Sequence, residues 1–427
     1  MKLPKFISGN TVLKITSLNA VVISIRLVVS VIIQRILAIM LGEAGIASIG
    51  QIRNLMVMLT STSTLGVFNG LVKYVSEFKE NKTELSKVFS TASIFILSGS
   101  FITGFALFFW ADFLSKELFS SIDYVYVFWI LAVIVPFVAV NRTINAVVNG
   151  LSDYKRYAKI ELIGYLLASL ALIIGLYTSA LKGVLIAIAI SPVIQLLVLL
   201  FVFGKTLQNH IKLSDLKFNI PYKKEFLSFT LMSFVSTFLL NFIELDIRTL
   251  ITDELNINEA GYWTALTFIS KNYMVFATGL FTLYVIPKFA NIHTGHEFKA
   301  EVLNIYKTIL PIFGLGMLLV YLLKGLIVQL VYPNFEGMLP LFKWQLLGDF
   351  VRLASLVLAH QFLAKRLVKS FIITEVISLV LFFVLSKLFL QSYGTEGVVI
   401  AHFVRYIVYF IIVIFSIKVY YNKKKLK

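Results

Sequence analysis

The sequence predicts an all-α membrane protein of about twelve transmembrane helices, arranged as two six-helix lobes. Three observations predict it. The 427 residues are 59% hydrophobic and 14% charged, with a mean hydropathy of +0.88, so lipid must be the main solvent. The apolar residues gather into about twelve runs of roughly 20 to 28 residues, each long enough for ~30 Å of hydrocarbon. The first half of the chain also has an echo in the second at a constant offset.

The runs can be justified in chain order. The first, 15–41, follows MKLPKFISGN, which lacks a short apolar core with a small-residue cleavage site and so predicts no cleaved leader. The second, 46–69, opens after Glu43-Ala44-Gly45. Asp112, Lys116 and Asp123 separate the third, 86–110, from the fourth, 122–149. Lys155, Arg156 and Lys159 introduce the fifth, 159–178, and Lys182 marks the turn into the sixth, 183–204. The polar segment GKTLQNHIKLSDLKFNIPYKKE then leads to six further runs: 226–251, 260–287, 303–323, 339–364, 369–390 and 397–420. None shows the apolar–polar alternation of a barrel strand.

Charge placement orients the bundle. With the N-terminus inside, the cytoplasmic loops hold Lys2, Lys5 and Lys14, then Lys73, Lys79, Lys82 and Lys87, then Lys155, Arg156 and Lys159. They continue through Lys205, Lys212, Lys217, Lys223 and Lys224, then Lys288, Lys299, Lys365, Arg366 and Lys369, to Lys418, Lys423, Lys424, Lys425 and Lys427. The opposite loops hold Lys116 and Lys182 beside Asp112, Asp123, Asp253, Glu254, Glu259, Glu336 and Glu396. This asymmetry predicts both termini in the cytoplasm. Anionic membrane lipids, rather than nucleic acid, account for most of the formal charge of +17. The absence of cysteine removes disulfides, thiolate metal sites and a cysteine nucleophile. No metal site or cofactor is predicted.

The internal echo sets the domain expectation. Arg142 is followed by Lys155-Arg156 and Lys159, and Arg352 by Lys365-Arg366 and Lys369, all shifted by 210 residues. A looser echo joins EAGIASIGQIRNLM (43–56) to EAGYWTALTFISKNYM (259–274): each presents a cation followed by Asn, at Arg53-Asn54 and Lys271-Asn272. Two lobes, 1–210 and 211–427, follow as parallel repeats. Facing each other across a cleft, they suit alternating access.

Charged residues inside apolar runs are the candidate functional groups, because each costs ~2.5–3.5 kcal/mol at the bilayer centre. The cations are Arg26, Arg35, Arg53, Arg142, Arg248, Lys271, Arg352 and Arg405; the acids are Glu161, Glu244, Asp246, Asp349 and Glu375. Arg142, Asn145 and Asn149 fall at i, i+3 and i+7, and Arg26, Ser30 and Gln34 at i, i+4 and i+8, so each set forms one stripe. Thr60, Ser61 and Thr64 continue a hydroxyl face after Arg53 and Asn54. Glu244/Arg248 and Asp349/Arg352 have the spacing of local ion pairs, Arg35 can snorkel to the interface, and Arg405 can pair with Glu375. Arg26, Arg53, Arg142 and Lys271 have no acid within one helical turn. Two readings stay open for those four: a water-filled cavity for an anionic substrate, or ion pairs across helices. Arginine suits phosphate oxygens because its fork binds them in a bidentate manner.

LGEAGIASIGQIRNLM, GVFNGLVKYVSEF (66–78) and IRTLITDELNINEAGYWTALTFIS (247–270) resemble the Wzx-type O-antigen and common-antigen flippases. These belong to the multidrug/oligosaccharidyl-lipid/polysaccharide exporter superfamily. The resemblance implies a V-shaped transporter, not an enzyme, in the bacterial inner membrane. Its substrate would be an undecaprenyl-pyrophosphate-linked oligosaccharide, and a polysaccharide polymerase or export partner would act beside it. It further implies that Arg26, Arg53, Arg248 and Lys271 meet the pyrophosphate; Arg142 and Arg352 join them on the charge argument alone. Asn145, Asn149, Gln34 and Asn54 are the expected polar lining, and Glu244, Asp246, Asp349 and His402 the candidates for ion coupling. The rival readings are a cation-coupled drug exporter of the same superfamily and a membrane polysaccharide polymerase or ligase. The first lacks an acid inside the first four runs, and the second lacks a long outward loop.

Overall fold

The computed structural model describes residues 11–151, 153–210 and 216–425. Lys2, Lys5, Lys212 and Lys427 of the predicted basic loops lie outside them, as does the middle of the polar segment between the two halves. The described residues are helical almost throughout and contain no strand. Nine of the described helices are long and apolar enough to cross a membrane.

α1 (Thr11–Ser63) covers the first two predicted runs as one helix broken at Gly42, which adopts φ 61° and ψ −165°. A side chain is strongly disfavoured there, so glycine makes the break possible. The helix stops at Ser63, short of the predicted 69, and Leu65 and Gly66 turn the chain with positive φ. The hydroxyls explain the early stop. Thr60, Thr62 and Thr64 bond back to the carbonyls of Met56, Met58 and Thr60 at 2.8, 3.1 and 2.8 Å, competition that loosens a helix end. The expected hydroxyl face is therefore largely turned onto its own backbone. Ser61 is the exception, reaching Ser233 at 3.0 Å.

α2 (Phe68–Phe78) and α4 (Ala111–Phe119) are short helices absent from the sequence expectation. Asn81 caps α3 (Lys82–Phe109) by accepting from the Glu84 amide. α5 (Val125–Gly150) tolerates Pro136, and α6 (Tyr154–His210) tolerates Pro192 and breaks at Ser179–Ala180. The break falls where the sequence separates its fifth and sixth runs.

α7 (Lys223–Ser233) passes through a π-helical stretch, Phe234–Leu239, into α8 (Leu240–Glu254). α9 (Ile257–Leu280) likewise continues through Phe281–Val285 into α10 (Ile286–Ala290). α11 (Gly295–Leu322), the short α12 (Lys324–Val331), α13 (Leu341–Ala364), α14 (Val368–Tyr393) and α15 (Thr395–Lys425) complete the chain.

Two compact units emerge. The first comprises residues up to Met40 with Ser48–Phe242; the second comprises Leu41–Ala47 with Ile243–Lys427. In the first, Leu71 and Tyr74 of α2, Val88 and Phe89 of α3, Ala146 and Val147 of α5, and Phe226 of α7 form one core. The entry to α7 is tied to this core by polar bonds as well. The Lys217 amide donates to Ser90 Oγ at 2.9 Å, the Tyr222 hydroxyl to Glu84 at 2.6 Å, and Thr230 to the Leu65 carbonyl at 2.6 Å. Burial and the Glu84 carboxylate push the Tyr222 phenol above its ordinary value, keeping it a donor.

In the second unit, Phe281, Phe289, Phe298, Ile305, Val357, Phe362, Tyr409 and Val413 bring α9–α11, α13 and α15 around one core. The two Glu-Ala-Gly echoes also meet here. A Cβ on Gly261 would lie 2.3 Å from the Glu43 carbonyl oxygen, so glycine is what allows the two backbones to touch. Large apolar side chains point outward in both units: Phe201 is 90% exposed and Leu315 67%. Such a surface is stable only against lipid.

Candidate substrate-binding cations

In the first unit the predicted cations divide by what they touch. Arg26 Nη1 meets Glu161 Oε2 at 2.7 Å, and its guanidinium lies 4.9 Å from the Tyr165 ring centre. Arg26 therefore does have an acid, brought by α6 from 135 residues away. Arg142 instead stacks on Phe68 at 3.6 Å, is exposed, and forms no ion pair among the described residues. Arg53 is half-buried, while Gln34 and Asn54 are buried.

The asparagine stripe splits. Asn149 is exposed. Asn145, expected to line a cavity, is buried and donates to Asn141 at 3.3 Å; Asn141 donates to Gln195 of α6 at 3.4 Å. This amide relay holds α5 against α6, the use to which membrane helices commonly put such groups. Gln195 was not anticipated, and nothing in its own neighbourhood signals it.

In the second unit Glu244 accepts from Lys271 at 2.6 Å, a pairing across α8 and α9 where the sequence suggested Arg248 as the local partner. Arg248 is buried; its Nε donates to Thr264 at 2.7 Å and its guanidinium lies 5.2 Å from the Trp263 ring. Asp246 is half-buried.

Asp349 is fully buried within a polar shell. Ser270 donates to it at 2.5 Å, Gln345 at 3.1 Å and the Tyr273 hydroxyl at a short distance, while His402 Nε2 stands 3.1 Å away. Arg352, its predicted i, i+3 partner, is the most distant at 3.9 Å and also lies 5.6 Å from the Tyr406 ring. Arg405 does not take Glu375. It donates to Ser378 and Tyr406, and Glu375 accepts from Tyr409 at 2.6 Å.

The arrangement can hold an anion in either unit. Arg26 and Arg142 in the first, and Lys271 in the second, are at least partly exposed. In a multi-pass helical membrane protein, charges at mid-helix face a partner or a water-filled cavity. The chain belongs to the polysaccharide biosynthesis protein family, whose sequence profile matches residues 52–334.

It is similar to the lipid III flippase of Escherichia coli (strain K12), 26% identical over 389 residues, covering 90% of this chain and 93% of that protein. The lipid III flippase of Shigella flexneri matches to the same extent. The fold is shared with an inward-facing multidrug resistance MATE family transporter of the MOP superfamily (TM-score 0.78, 15% identity, 92% and 95% covered). It is shared too with the lipid II flippase MurJ in an inward closed conformation (TM-score 0.69, 14% identity, 93% and 87% covered). The resemblance carried by LGEAGIASIGQIRNLM and its companion segments is borne out at the level of the family.

Proposed function

We propose that this protein is a flippase that moves an undecaprenyl-pyrophosphate-linked oligosaccharide from the cytoplasmic to the periplasmic leaflet through a cationic central cavity. The supporting observation is that each unit carries cationic residues within its apolar helices that are at least partly exposed: Arg26 and Arg142 in one, Lys271 in the other. The relatives named as lipid III flippases support translocation of a lipid as the activity.

In this reading α1 and α6, each broken near its middle, cross the membrane twice. α9 crosses once although it is not among the nine long apolar helices. Twelve crossings result, with both termini cytoplasmic in the inner membrane and two lobes, 1–210 and 211–427, working by alternating access. Arg26, Arg53, Arg142, Arg248, Lys271 and Arg352 serve the pyrophosphate, and Asn149 serves its polar surroundings. A pyrophosphate diester bears about two negative charges, so outward passage is downhill by ~2.3 kcal/mol per charge per 100 mV. Membrane potential alone then biases the cycle.

The test is mass spectrometry of undecaprenyl-linked lipids in cells with and without the gene, combined with sidedness labelling. A completed oligosaccharide on undecaprenyl pyrophosphate, held at the inner leaflet on deletion, is the expected result. An unchanged pool in a strain with no second flippase overturns the proposal.

A further inference from the structure

Two ion pairs seat a carboxylate directly on a candidate phosphate-binding cation. Arg26–Glu161 and Lys271–Glu244 both join separate helices, at 2.7 and 2.6 Å. Both are open to a ligand: the side chains are 38% and 30% exposed in the first pair, and 49% and 15% in the second. Asp349 is the contrast. It is wholly enclosed by Ser270, Tyr273, Gln345 and His402, so nothing entering from outside can take its place without dismantling the shell.

Each of these carboxylates also has further cations in its electrostatic surroundings. Arg142 lies within electrostatic reach of Glu161, and Arg248 and Arg352 within reach of Glu244. The same pattern thus occurs once in each unit: one accessible acid, outnumbered by basic groups, seated on a candidate phosphate-binding cation.

We infer that Glu161 and Glu244 are resident counter-ions, which occupy the phosphate positions on Arg26 and Lys271 and yield them to the incoming pyrophosphate. The inference rests on the proposed function and adds what holds the site when it is vacant. A bare cation at membrane depth is costly, and a carboxylate one helix away removes that cost. An arriving phosphate offers the same cation a charge-assisted bond of similar strength, so one anion replaces another and the cation is never left uncompensated. On release, the carboxylate returns. Affinity is lowered by the competition and departure is helped by it, which is what a transporter of a multiply charged lipid needs.

The sign of the effect separates this role from a structural one. Loss of a merely structural ion pair disturbs the cation and weakens binding; loss of an internal competitor strengthens binding. The experiment uses the purified full chain in detergent, with geranylgeranyl pyrophosphate as probe and geranylgeraniol as uncharged control, followed by calorimetry. Glu161→Gln and Glu244→Gln are expected to bind the pyrophosphate about fivefold more tightly than the unmodified chain, with slower export in cells. Arg26→Gln should bind more weakly, and Arg26→Gln/Glu161→Gln should be no tighter than Arg26→Gln alone.

Where a glutamine variant does not fold, Glu161→Asp and Glu244→Asp lengthen the pair while keeping the charge, and tighter binding is again expected. Equal or weaker binding by these variants, with clear binding by the unmodified chain, overturns the counter-ion inference and leaves the flippase reading standing. No preference of the unmodified chain for the pyrophosphate over the alcohol overturns both.

Discussion

At the scale of single residues, the intramembrane charges serve different purposes, and substitutions should separate them. Asp349 is buried among donors from α9, α13 and α15. Asp349→Ala removes the acceptor those donors share and an ion-pair partner of Arg352, and breaking a buried pair in this way costs about 3–5 kcal/mol. The expected outcome is a large loss of folded protein, read as monodisperse yield after detergent extraction. Arg142→Ala should behave oppositely. It gives up a stacking contact with Phe68 worth about 0.5–1 kcal/mol, so the chain should insert at normal abundance while glycolipid export fails. Normal export by Arg142→Ala would show that the cation serves only its ring contact.

The residue scale is also where the sequence was least informative. Arg26 and Lys271 have no acid within a turn of their own helices, and both find one on a neighbouring helix. Helical periodicity reports which residues share a face; it carries no information on which face of another helix will meet it.

At the scale of elements, two glycines set the path of the chain for different reasons. Around Gly42 there is open space, so a Cβ would meet nothing, and the penalty in Gly42→Ala is purely the strain of its positive φ. That strain is about 1–3 kcal/mol, and a fall in melting temperature is expected even though no atom is crowded. Gly261 is the opposite case, since a side chain there would collide with the backbone at Glu43. Gly261→Val should therefore force apart the two Glu-Ala-Gly segments, with an overpacking cost of about 1–3 kcal/mol. A melting temperature unchanged from the native chain would refute the close approach.

The long apolar runs were legible because each needs only composition and length. The breaks at Gly42 and Ser179–Ala180 fall where the sequence places its gaps. The short helices α2, α4 and α12 were not legible, being too brief for a period to accumulate.

At the scale of the whole molecule, the proposed orientation, with both termini cytoplasmic, rests on the distribution of lysine and arginine. The absence of cysteine makes this directly measurable. Single cysteines at Lys116 or Lys182 should react with a membrane-impermeant maleimide in intact cells, and cysteines at Lys155 or Lys365 only after permeabilisation. The reverse labelling pattern would invert the topology and with it the direction of transport proposed above.

What the sequence determined by itself was the solvent, the helical class, the position of the long helices and the family. All of these rest on composition and local pattern, which survive without knowledge of neighbours. Only the tertiary structure decided that Arg26 sits on Glu161, that Asn145 joins the relay to Gln195, and that Asp349 is sealed among hydroxyl, amide and imidazole groups. Those outcomes depend on how far each helix is rotated and how deep it sits against the next. Rotation and depth come from the packing of whole faces, to which any single charge contributes little.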